Sequence, residues 1–190
     1  MFKSIKEFLT HKKLWPLVDV LLFAIITYGF HVLWWSFFVH IINATGINAV
    51  AGWLAHSVFV ASAWLDENVF RMDIALYANN TILFKSNYRA IEVNESCSGF
   101  KQMWQVLVLF LLFPGPWKQK LWFIPMGMLS MFLVNIIRIV CLSFAMIYWP
   151  QYWDFIHLWV LRPVYYLVIF ILWVVWVEKY GGIKRYFVKV

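Results

Sequence analysis

The chain has 190 residues, 64% apolar and 13% charged, a balance that excludes an ordinary soluble globular protein and makes lipid the expected solvent. Its net charge of +7 does not point to nucleic acid, because Lys and Arg are dispersed among short segments between apolar runs instead of forming one basic stripe. The two cysteines, Cys97 and Cys141, have no CxxC or metal-ligand spacing, so neither a disulfide framework nor a zinc site is supported, although one bridge between them stays open. The length suits a single integral membrane domain over residues 1–190, and the 13 Trp suit interfacial anchoring of several crossings.

Leu17 to Ile42, preceded by Lys3, Lys6, Lys12 and Lys13, predicts a first transmembrane helix with a cytoplasmic N-terminus. The run is longer than a signal-peptide core and lacks a small-residue cleavage site, so it is expected to stay attached. Ile47 to Leu65 is apolar but carries His56, Ser57 and Ser62. Were it to cross, the N-terminal basic run would lie opposite Lys118, Lys120 and the basic C-terminus, so an interfacial or re-entrant helix on the outer side is expected.

Asp66 to Ser96 is the substantial polar stretch, read as an extracytoplasmic cap inserted within the membrane domain. Asp73 to Ala78 and Thr81 to Ser86 alternate like strands around Asn79-Asn80, a tight-turn dipeptide, and Tyr88 to Val93 adds a third short strand. Phe100 to Phe113 predicts an inward-running helix ended by Pro114-Gly115-Pro116 and the cytoplasmic Lys118 and Lys120. Leu121 to Trp149 runs outward with a kink near Pro125, and Leu158 to Val177 returns to Lys179, Lys184, Arg185 and Lys189. The fold class is therefore an all-α polytopic membrane helix bundle of four crossings with a small cap containing a β-hairpin.

This topology gathers chemistry on one side. Cys97 opens the Phe100 helix at its outer end, and His157 opens the last helix at its outer end. Arg138, about 26 Å along its helix from Leu121 in a hydrocarbon layer of roughly 30 Å, approaches the same face. A thiol at a helix N-terminus is favoured as the nucleophilic thiolate, and Lys101, one turn on, adds positive charge. His157 is suited to move the thiol proton to a leaving amine, and Arg138 to bind a carbonyl or tetrahedral oxyanion.

Three short motifs carry a resemblance: Asn94-Glu95-Ser96-Cys97-Ser98-Gly99, then Asn135-Ile136-Ile137-Arg138, then Asp154-Phe155-Ile156-His157. Their order and spacing resemble the Cys-Ser-Gly, Asn-x-x-Arg and His pattern of the exosortase/archaeosortase family. The resemblance covers roughly Ile74 to Val177. It implies a membrane cysteine peptidase or transpeptidase of the cytoplasmic membrane, with Cys97 as nucleophile and Arg138 and His157 as the other essential residues. It further implies a membrane-anchored protein substrate with a C-terminal sorting signal, and a thioester resolved by an amine, a hydroxyl or water. No cofactor, metal or nucleic acid is called for.

Each candidate has a plainer reading. Cys97 and Cys141 are also suited to packing, and Arg138 to pairing or snorkelling. Arg162 competes with Arg138, although pairing with Asp154 is its expected role; His40 and His56 compete with His157. Lys101 and Gln105 extend the Cys97 face as a polar cleft or as interhelical bonds, and Asp154 is placed to orient His157. A noncatalytic assembly or chaperone subunit is the first rival function. A small transporter is the second, disfavoured because the polar residues do not continue through the helix centres; inner-face groups such as Asp19 are all that would extend them.

Overall fold

The computed structural model describes residues 15–38, 40 and 48–181. The N-terminal lysines, the Lys184, Arg185 and Lys189 segment, and the far end of the Leu17 to Ile42 run lie outside them. Helix α1 (Trp15–Leu33) continues as a π-helical turn to Phe38, and α2 (Asn48–Trp64) as another to Val69. Three antiparallel strands follow: β1 (Ile74–Tyr77), β2 (Thr81–Phe84) and β3 (Arg89–Glu92). Then come α3 (Phe100–Leu112), α4 (Trp117–Tyr148) and, after short helical turns from Pro150, α5 (Arg162–Lys179).

Three helical stretches are long and apolar enough to span a bilayer: Trp15–Phe37, Trp117–Tyr148 and Pro150–Lys179. Their exposed Leu21, Ile25, Leu129, Leu133, Leu167 and Ile171 are lipid-facing surface, as expected where lipid rather than water is the solvent. The fourth expected crossing, α3, is 13 residues long, about 20 Å, and so falls short of a hydrocarbon layer of roughly 30 Å by itself. It packs against α4 as a helical hairpin. At the closing turn, Lys120 donates to the Leu111 carbonyl at 2.9 Å while its ammonium lies 4.6 Å from the Trp117 ring; a cation there satisfies an open carbonyl at the end of α3.

Helix α4 has 32 residues, about 48 Å, and its length divides the packing in two. Near its Trp117 end, Phe123 and Met131 meet Val106, Leu109, Phe110 and Trp176 of α3 and α5 in one core. There Gly127 is required, since a Cβ would come 2.9 Å from Val106 Cγ1. Toward Tyr148, Ile139 and Leu142 join Val58, Ile82, Phe84 and Val93 in a second core beneath the sheet. Trp173, Trp176, Phe110 and Phe123 are buried in the first core, so these aromatics are packing residues and not the interfacial anchors that composition led us to expect.

The strands lie within two residues of their expected positions, but the first hairpin differs. Tyr77 pairs with Thr81, leaving a three-residue loop, with Asn80 in the left-handed region at φ 53°, where Asn is better tolerated than most residues. The sheet is tied to α4 by Asn87, which donates to the Met146 carbonyl at 2.9 Å, and the π-helical turn after α2 is tied to it by Asp66, which accepts from the Ser143 hydroxyl at 2.6 Å. Cys97 and Cys141 are both free thiols, so the possible bridge is not formed.

Candidate active site

The Cys97 turn is shaped residue by residue. Asn94 is extended, and its side-chain oxygen accepts from the Ser96 amide at 3.1 Å and the Ser96 hydroxyl at 2.6 Å, capping the 3-10 turn Glu95–Cys97. The buried Ser98 hydroxyl donates to the Glu95 carbonyl at 2.6 Å and accepts from the Phe100 amide at 3.2 Å. Gly99 then takes φ 74° to start α3, and a Cβ there would lie 3.1 Å from Asn135 Nδ2. The glycine thus answers both a left-handed backbone and the close approach of α4.

Asn135 and Arg138, one turn apart on α4, are both buried. Asn135 Nδ2 donates to the Cys97 carbonyl at 2.6 Å, which fixes the turn to α4. Arg138 Nη2 donates to His157 Nε2 at 2.6 Å, and Nη1 donates to Tyr165 Oη at 3.4 Å. Because guanidinium only donates, Nε2 must be the acceptor, so His157 is neutral here with its proton on Nδ1. Tyr165 in turn donates to Asn135 Oδ1. Arg138 Nε is buried without a partner.

Cys97, Arg138 and His157 line one cavity of about 560 Å³, together with Lys101, Arg162 and Glu95. Three permanent or near-permanent cations face one carboxylate there, an arrangement that favours carbonyl and carboxylate oxygens. Lys101 donates to His31 Nδ1 at 3.3 Å and lies 4.7 Å from the Trp35 ring, which brings α1 into the wall.

Several sequence expectations change. Arg162 does not pair with Asp154 and lines the cavity instead. Asp154 is exposed and makes no hydrogen bond to His157, whose Nε2 is held by Arg138. Gln105 is buried with Nε2 unpartnered and does not continue the Lys101 wall. His56 bonds Asn80 on the cap at 2.9 Å, and neither it nor His40 is among the cavity-lining residues. Among the described residues no hydrogen bond joins the Cys97 thiol to His157, although both line the cavity.

His31 and Tyr165 were missed. Each is a polar residue within an apolar span, the signal that marks intramembrane function or pairing. Tyr165 stands eight residues after His157, with the π-helical stretch Ile156–Leu161 between them, a local device frequent at functional sites, and both line the cavity.

A family model for transmembrane exosortases matches residues 13–176. The chain belongs to the transmembrane exosortase family. That match contains the Cys97 turn, the α4 Arg138 and the His157 stretch, and with the apolar helices it makes this exosortase a multi-pass membrane protein. No curated protein and no solved structure matches the chain.

Proposed function

We propose that this exosortase is a membrane-embedded cysteine peptidase or transpeptidase acting on membrane-anchored proteins with a C-terminal sorting signal. The observation that carries the reading is the shared cavity of Cys97, Arg138 and His157. The substrate carbonyl oxygen enters beside Arg138 and draws the guanidinium toward itself, releasing His157 Nε2. His157 takes the thiol proton as Cys97 Sγ bonds the carbonyl carbon, and Arg138 stabilises the oxyanion. Collapse breaks the C–N bond, His157 returns its proton to the departing amine, and a thioester remains. An acceptor amine, hydroxyl or water then attacks the thioester, passing its proton through His157 to regenerate the thiol. Lys101 and Asn135 support the site by charge and by holding the Cys97 carbonyl. In this reading the enzyme works in the cytoplasmic membrane, with the 66–96 cap and the cavity toward the extracytoplasmic face.

The test is processing of membrane-anchored reporters in cells carrying wild-type protein or Cys97→Ala, with membrane insertion checked in both. Loss of the cleaved or transferred product with Cys97→Ala is expected; unchanged processing overturns the thiol mechanism. The Arg138–His157 bond across two helices favours one second reading, a noncatalytic assembly subunit held together by that pair. Under it, Cys97→Ser retains full function.

A further inference from the structure

We infer that Tyr165 is a positioning residue that couples Arg138 to the backbone of the Cys97 turn, an inference that rests on the thiol-peptidase reading. The bonds run in one direction. Arg138 Nη1 donates to Tyr165 Oη at 3.4 Å, Tyr165 donates to Asn135 Oδ1, and Asn135 Nδ2 donates to the Cys97 carbonyl at 2.6 Å. Arginine has no acceptor, so the tyrosine oxygen receives that proton and its own hydrogen is free for Asn135; the amide then has its donor end left for the thiol-bearing turn.

The relay is fully buried at Asn135, which is 0% exposed, while Tyr165 at 3% and Arg138 at 8% form part of the cavity wall, so an Asn135 amide orphaned by loss of the tyrosine hydroxyl is costly. Among the described residues no other side chain joins Arg138 to Asn135. The tyrosine ring also carries the guanidinium, with Arg138 Cζ 5.4 Å from its centroid, which fixes the plane in which Nη2 meets His157. Tyr165 thus holds Arg138 and the nucleophile turn in register from a third helix, α5.

Removing the hydroxyl loosens the turn, so Cys97 becomes more accessible to a small reagent while the reaction geometry degrades. The experiment uses the full chain in detergent with Cys141→Ser, so that N-ethylmaleimide reports Cys97 alone, alongside reporter processing in cells. Tyr165→Phe is expected to raise the alkylation rate about threefold or more and to lower processing about tenfold to a hundredfold, the loss of one buried hydrogen bond. The opposite signs separate positioning from a general folding defect. Wild-type alkylation overturns the inference, as does a fall in both readouts.

A double variant sharpens the result. With Asn135→Ala already present, Tyr165→Phe is expected to add little further effect, and full additivity overturns the relay. Should Tyr165→Phe fail to insert, Asn135→Asp, which replaces the donor to the Cys97 carbonyl by an acceptor of the same shape, is expected to give the same opposed changes; wild-type values there overturn the relay. Retained processing in Cys97→Ala would remove the thiol mechanism while the alkylation comparison still decides the relay.

Discussion

Asp66 offers a stability test independent of catalysis. It lies fully buried in the π-helical turn after α2, with one carboxylate oxygen accepting from Ser143 at 2.6 Å and the other without a partner. Burial raises its pKa from 3.8 to about 6, against a smaller opposing effect of the Ser143 bond. The folded state therefore binds this proton more tightly than the unfolded chain does. The group's effect is fully favourable below the unfolded value and is lost as pH rises through about 6, with the decline falling between about 4 and 6. A shift of that size corresponds to about 3 kcal/mol of stability. Asp66→Asn keeps the Ser143 partner and removes the charge, so the variant should match wild type near pH 4 and exceed it by about 2–3 kcal/mol at pH 7.5. Unfolding of the detergent-solubilised protein, followed by tryptophan fluorescence from pH 4 to 8, measures the difference between the two curves. A difference that does not change with pH, or one that grows toward acid, refutes the reasoning.

Gly99→Ala places a Cβ 3.1 Å from Asn135 Nδ2 at φ 74°; about 1–2 kcal/mol of destabilisation is expected, with reduced processing, measured by detergent melts and the reporter assay. Asp154→Asn should leave processing within about twofold of wild type, because an exposed carboxylate with no bond to His157 contributes only a screened interaction; a tenfold loss in the reporter assay would restore it to the site.

Apolar runs and lysine placement made the helices legible, because a span must be long, apolar and charge-flanked whatever it packs against. Period-two alternation located the strands to within two residues, and the Cys97, Arg138 and His157 motifs lie around one cavity. What sequence spacing did not disclose were contacts between distant elements. Asp154 and Arg162 were expected to pair, but Asp154 is exposed while Arg162 lines the cavity. Arg138 was read as a binder of a substrate oxygen or a paired cation, and folding joins it to His157 across two helices. His31 meets Lys101 from 70 positions away, a pairing that no local period encodes.

The length of α4 explains why the cavity lies where it does. A helix of 32 residues is about 48 Å long, and its partner α3 covers only about 20 Å of it. The Cys97 turn sits where α3 begins, and the sheet packs on the remaining length through Ile139 and Leu142. Asn135 and Arg138 therefore stand at the step between two packing layers, one built from helices and one from the cap. At such a step, side chains from α1, α4 and α5 converge without filling the space, and buried polar groups satisfy one another across helices. A continuous four-helix bundle of equal lengths would close that gap with apolar packing. The short α3 and the inserted cap instead leave a polar chamber beside a thiol.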